Sequence, residues 1–183
     1  MIAITRRMAA GLNFCRIVQV LLPVLKIGDT ISIESGYSSP QNRLSGRGTL
    51  VQRIRVAVAD DNPEITRILA DILEPDFRIV GMFFTGTSVL QEIQKLHPDV
   101  LILDISLGDL SGFEVVEGLQ KHNIATKVIF LTVHEQVEFI RAAFDMGAWG
   151  YVFKSRVSLD LAKAIRAVFR GKRFFPSLLS PAI

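Results

Sequence analysis

From residue 54 onward, five short apolar runs recur along the chain, and a segment of helical period follows each. The runs cover residues 54–59, 77–83, 100–103, 127–131 and 149–153. They are rich in Val, Ile, Leu and Phe with little polar alternation, the pattern of strands buried on both faces. After the first run, Ile65, Ile68, Leu69, Ile72 and Leu73 are spaced i, i+3, i+4, i+7 and i+8, a single stripe along a helix. Asn62 stands at the N-cap of that helix and Pro63 at its first position. Further helices are predicted over 88–96, 112–121, 135–146 and 158–170, with Gly147 and Gly171 where C-terminal caps belong. A β–α unit thus repeats five times. Such alternation predicts an α/β fold, a parallel sheet covered by helices on both faces.

The residues before this body differ in character. Residues 28–49 are full of Gly, Ser, Asn and Pro and read as a linker. The net charge of +3 is unevenly placed: residues 1–52 hold six Lys and Arg against Asp29 and Glu34, and the remainder holds 15 against 16 acids. The positive charge therefore belongs to the extension and gives no ground for a nucleic-acid-binding body. Residues 8–25 are apolar and follow Arg6 and Arg7, but Asn13, Arg16, Gln19 and Pro23 interrupt them. The stretch falls short of the ~20 residues of a membrane span. Residues 1–52 are expected to form a poorly ordered N-terminal extension with no membrane role. The abrupt change at Val51 also suggests a native start there, from a non-standard initiation codon. Cys15 is the single cysteine, so neither an intrachain disulfide nor a Cys-based zinc site can form, which fits a reducing cytoplasm.

Polar residues collect at the ends of the apolar runs. Asp60 and Asp61 close the first, Asp104 the third and Thr132 the fourth, and Lys154 follows the fifth. In a parallel sheet these ends share one edge, where open α/β sheets bind ligands. A single Asp at a strand end is usually a turn former or a helix cap. Three acids, a hydroxyl and an amine at the ends of the right strands form a far more specific set. Clustered carboxylates repel one another. A hard divalent cation such as Mg2+ resolves that conflict with oxygen ligands. Thr132 and Lys154 suit phosphoryl oxygens. An Asp carboxylate can serve as nucleophile and form an aspartyl phosphate.

The segments VAVADDNP (56–63), LILDISLGDLSGFEV (101–115), VIFLTVH (128–134) and GAWGYVFKS (147–155) resemble the receiver domains of bacterial two-component response regulators. The resemblance covers about two-thirds of the chain. It implies a flavodoxin-like sheet of order 2-1-3-4-5, a receiver domain over 53–173 and a C-terminal tail over 174–183. It implies Asp104 as phosphoacceptor, with Asp60, Asp61, Asp104 and the backbone carbonyl of Ser106 as Mg2+ ligands. Lys154 would contact the phosphoryl group, Thr132 would be the switch hydroxyl, and Tyr151 the aromatic switch that turns inward on activation. Gly108 replaces the Pro of many members, which implies a looser loop. Ser106 and His134 face the phosphoryl group in the family, and His134 is read as a solvent-facing loop residue. The implied donor is a histidine kinase or histidine phosphotransfer protein, with homodimer formation on phosphorylation. The chemistry is limited to self-phosphorylation and autodephosphorylation, so no enzyme acting on external substrates is expected.

The wording GYVFKS and RGKRFFPSLL resembles receivers that precede a LuxR-type helix-turn-helix domain. No such module is expected within these residues, and no direct nucleic-acid binding. The cluster Arg166, Arg170, Lys172 and Arg173 reads as a solvated helix end, where positive charge suits the helix dipole. Three rivals stand beside this reading: a regulator that has lost its DNA-binding half, a receiver-like interaction module without phosphorylation, and a haloacid-dehalogenase-type phosphatase. The last lacks its second acid, because Ser106 stands where an Asp-x-Asp pair needs Asp.

Overall fold

The computed structural model describes residues 53–176. The expected extension over 1–52, Val51 included, and residues 177–183 of the expected tail lie outside them. Strands β1 (Arg55–Ala59), β2 (Arg78–Phe83), β3 (Val100–Leu103), β4 (Lys127–Thr132) and β5 (Gly150–Phe153) alternate with five helices. These are α1 (Pro63–Leu73), α2 (Gly86–Leu96), α3 (Gly112–Lys121), α4 (Val137–Asp145) and α5 (Ala162–Phe169). All strand pairs are parallel and the order is β2-β1-β3-β4-β5, as the resemblance implied.

Successive side chains of a strand leave on opposite faces, and here both faces are covered. Val56, Val58, Val100, Ile102, Ile129 and Leu131 pack under Leu69 and Leu73 of α1 and Ala164, Ile165 and Val168 of α5. Ala57, Ala59, Leu101, Leu103, Val128 and Phe130 pack under residues of α2, α3 and α4, among them Val89, Val115 and Ile140. The runs of β1, β3, β4 and β5 lack polar alternation because neither face meets water, whereas β2 lies at the sheet edge with Met82 exposed.

Local signals place several boundaries. Asn62 has extended dihedrals, and its Oδ1 accepts from the backbone N–H of Glu64 at 2.9 Å and Ile65 at 3.4 Å. Ser111 and Glu114 form a reciprocal capping box at the start of α3. Gly147 and Gly171 take φ of 90° and 79°, the left-handed conformation of a C-terminal stop.

Four features differ from the sequence expectation. Helix α2 begins two residues early, because Asp109 from a distant loop accepts from the N–H of Gly86 at 2.7 Å and Thr87 at 3.0 Å. Regular α5 begins only at Ala162, since a π-turn over Val157–Leu161 precedes it. The packed body runs past 173. Phe174 donates to the Trp149 carbonyl at 2.9 Å and accepts from the Tyr151 N–H at 3.1 Å, lying as a parallel bridge beside β5. Two members of the basic cluster are packed rather than purely solvated. Arg166 pairs with Asp76 at 2.7 Å and covers the Phe77 ring, and Arg173 lies over Phe144. Among the described residues no helix is long and apolar enough to cross a membrane.

Candidate phosphoryl and metal site

Strand pairing brings the candidate residues to one sheet edge. Asp104 continues β3, and its N–H donates to the Ala59 carbonyl at 2.9 Å, which places it beside Asp60. Asp60 follows β1, and its Oδ1 accepts from the Asn62 N–H at 3.0 Å. Thr66 secures this turn by donating to the Asp60 carbonyl at 3.1 Å. Lys154 begins the turn after β5 and sends its chain back over the edge. Its Nζ lies 2.7 Å from Asp104 Oδ2 and 2.6 Å from Asp60 Oδ2, with all three side chains buried. The remaining Asp104 oxygen accepts from the Ile105 N–H at 2.7 Å.

The electrostatics follow from this packing. Burial pushes the Asp60 carboxyl above its ordinary value of 3.8, and the Lys154 ammonium opposes that rise only in part. Burial alone would lower the Lys154 ammonium, but the charges of Asp104 and Asp60 outweigh it and hold the lysine above its usual range. Asp61 is exposed at the mouth of the site. One carboxylate oxygen from each of Asp60, Asp61 and Asp104 lies within 4.8 Å of the others.

This donor set fits a divalent cation. Three acidic side chains face one ammonium, so the site holds more acids than bases. The buried Asp60 Oδ2 has the Lys154 ammonium as its close partner at 2.6 Å, and that ammonium is shared with Asp104. One shared ammonium cannot balance this many acids, and a hard cation would supply the missing positive charge through oxygen ligands. Ser106 is exposed, its backbone bridged to Ser111, and among the described residues no hydrogen bond engages its carbonyl.

Thr132 and Tyr151 are fully buried. Thr132 ends β4, and its Oγ1 accepts from the His134 N–H at 3.3 Å. The Tyr151 ring points inward between Phe130 and Phe153, and its hydroxyl donates to the His134 carbonyl at 2.8 Å. Burial, with a smaller contribution from the Asp104 charge, raises this phenol far above its usual value. His134 is half-buried rather than solvent-facing, and its ring stacks on Phe139 at 4.3 Å.

Two residues that sequence reasoning did not single out shape the site. A side chain at Gly112 would strike the Asp104 carbonyl, so the start of α3 can approach the acceptor only as glycine. A Gly at the first position of a helix, where it costs propensity, was the available signal. Asp109 fastens the loop after Asp104 to α2, and its backbone partners, Thr87 above all, hold its carboxyl well below the usual range. No local pattern reveals it, because Gly86 and Thr87 lie 23 and 22 residues away. Gly108 has φ +78°, which Pro cannot adopt. Glycine thus sets a particular turn in a tethered loop rather than merely loosening it.

A response regulator receiver domain model matches residues 56–166. The chain belongs to the response regulator receiver family. Among its relatives, the uncharacterized transcriptional regulatory protein YvfU of Bacillus subtilis is 38% identical over 124 residues, covering 67% of this chain and 62% of YvfU. Response regulator GacA of Pseudomonas viridiflava is 34% identical over 134 residues, covering 71% of this chain and 60% of GacA. The receiver described here spans less than two-thirds of the length of either. The isolated receiver domain of RcsB from Salmonella enterica serovar Typhimurium, in the presence of phosphomimetic BeF3−, matches with TM-score 0.64 at 28% identity. That match covers 69% of this chain and 95% of the RcsB domain. The non-phosphorylated RcsB receiver from Escherichia coli also gives TM-score 0.64 at 28% identity, covering 68% and 99%.

Proposed function

We propose that this receiver takes a phosphoryl group onto Asp104 and signals through the conformation of the β4–α4 region. The observation that carries the proposal is Lys154 spanning the buried Asp60 and Asp104, with a third acid, Asp61, at the mouth. An interaction module without chemistry has no physical need to bury two acids against one lysine, because such a cluster is a poor source of stability.

In the proposed step a carboxylate oxygen of Asp104 attacks the phosphorus of a phosphohistidine on a histidine kinase or phosphotransfer protein. The new P–O bond forms as the P–N bond breaks, and the imidazole leaves with its electron pair and takes up a proton. Asp60, Asp61, Asp104 and the Ser106 carbonyl would hold Mg2+, which when bound supplies charge neutralisation at the phosphoryl oxygens. Lys154 stays protonated and offers a fixed positive charge to the same oxygens. The Ile105 N–H orients the acceptor carboxylate, and Gly112 lets the helix start lie close behind it. The Thr132 hydroxyl is the switch that turns toward the phosphoryl group, drawing on the loop that His134 and Tyr151 hold.

The domain boundaries belong to the same proposal: residues 1–52 precede the receiver as an extension, and the receiver occupies 53–173, with residues 174–176 of the tail packed against its β5 edge. The setting is the cytoplasm, and phosphorylation favours a homodimer. The relatives are called transcriptional regulators, which supports a second reading in which this receiver governs a DNA-binding partner domain. An immunoblot for a longer native product tests that reading. For the main reading, the test is incubation with a small phosphodonor and Mg2+. An alkali-labile label should appear on the wild-type protein and be absent from Asp104→Ala. Equal labelling of the two would refute the assignment.

A further inference from the structure

Residues 173–176 form a strap with two independent attachments. On the edge of β5, the Phe174 N–H donates to Trp149 and the Tyr151 N–H donates to Phe174. On α4, the Phe175 ring packs on Phe144 with centroids 4.4 Å apart, and the Arg173 guanidinium lies 5.9 Å from the centroid of the same ring. Phe175 is still half exposed, and Pro176 beyond it is buried.

The opposite end of α4 is held by the other side of Tyr151. The Tyr151 hydroxyl grips the His134 carbonyl, and the His134 ring stacks on Phe139 in the first turn of α4. Helix α4 is therefore pinned near its start through His134 and near its end through the strap, and both lines meet at one residue. The main chain of Tyr151 binds the strap and its side chain binds the β4–α4 loop. That loop also binds the acid pocket's neighbour, since the His134 N–H donates to the Thr132 hydroxyl.

We infer that the strap over 173–176 is the output lever of this receiver, docked or loosened together with the β4–α4 loop through Tyr151 and α4. A movement of the loop tilts α4 and shifts Phe144 beneath Phe175. Because Phe174 is bonded to the residue that holds the loop, the two attachments weaken together. Coupling of this kind is reciprocal, so loosening the strap must loosen the loop. The link from loop to strap rests on geometry alone. Its control by the acid pocket rests on the phosphoacceptor reading above.

Amide hydrogen exchange on the full chain tests both parts. Tyr151→Phe keeps the ring and removes the hydroxyl, and should speed exchange at Phe174 by about fivefold or more. Phe175→Ala, a change at a half-exposed position, should speed exchange over residues 133–139 by a similar factor. Unchanged exchange at the Phe174 amide in Tyr151→Phe, or unchanged exchange over residues 133–139 in Phe175→Ala, would overturn the coupling. The third arm adds Mg2+ and beryllofluoride, with occupancy scored separately by fluorine resonance. A loaded pocket with altered exchange at the Tyr151 and Phe174 amides supports the lever, and a loaded pocket with unchanged exchange overturns its control by that pocket. Failure to load would count against the phosphoacceptor reading itself, while the two variants would still decide the coupling.

Discussion

Lys154 and Asp104 stand 50 positions apart in sequence and meet at 2.7 Å in a buried ion pair that Asp60 shares from the other side. Removing one member of such a cluster leaves the others charged and unpaired. Lys154→Ala should therefore cost about 3 kcal/mol in metal-free buffer. Added Mg2+ should then stabilise the variant more than the wild type, because the site loses the ammonium that pairs with both buried acids. Urea unfolding midpoints with and without Mg2+ measure this. An equal Mg2+ effect on the two proteins would argue against a cation among these carboxylates.

Gly112 and Gly118 both lie on α3, and a methyl group would meet different obstacles at each. At Gly112 it strikes the Asp104 backbone carbonyl, whereas at Gly118 it meets the end of the flexible Leu90 side chain. Gly112→Ala should lose about 2 kcal/mol to strain and slow labelling of Asp104. Gly118→Ala should be near neutral, since Leu90 can shift and alanine gains up to about 1 kcal/mol of helix propensity. Thermal midpoints together with initial labelling rates separate the two.

Asp109 ties the acceptor loop to α2 through backbone N–H donors, and these bonds keep its carboxyl depressed. A group depressed in the folded state contributes stability above its unfolded value, here 3.8, and loses it as pH falls through the lower folded value. Between neutral pH and about 4 that contribution is intact. Asp109→Asn should flatten the fall in urea midpoint below that range and speed exchange of the Gly86 and Thr87 amides at neutral pH. An unchanged acid slope would show that the tether carries no weight.

The layout was legible where the information is local. The strand VLIL of β3 reads as buried on both faces, and Asn62-Pro63 marks the start of α1. The acid pocket was legible because a parallel sheet sends every strand end to one edge, so topology alone gathers Asp60, Asp104 and Lys154 there. The rest depends on partners far along the chain. The start of α2 has a local cap in Thr85, but its first two N–H groups are held by the distant Asp109, and the strap at Phe174 exists because β5 has a free edge and Phe175 finds Phe144. The inward Tyr151 reflects the space between Phe130 and Phe153. No periodicity encodes these contacts, since each is a tertiary choice among conformations that the local sequence permits equally.

The most direct test is peptide mapping by mass spectrometry after reaction with a phosphodonor and Mg2+. One phosphoryl group should be carried on Asp104, be absent when Mg2+ is chelated before the donor is added, and be strongly reduced in Asp60→Asn. A phosphoryl group on another residue, or labelling of Asp104 indifferent to both the chelator and Asp60, would contradict this assignment.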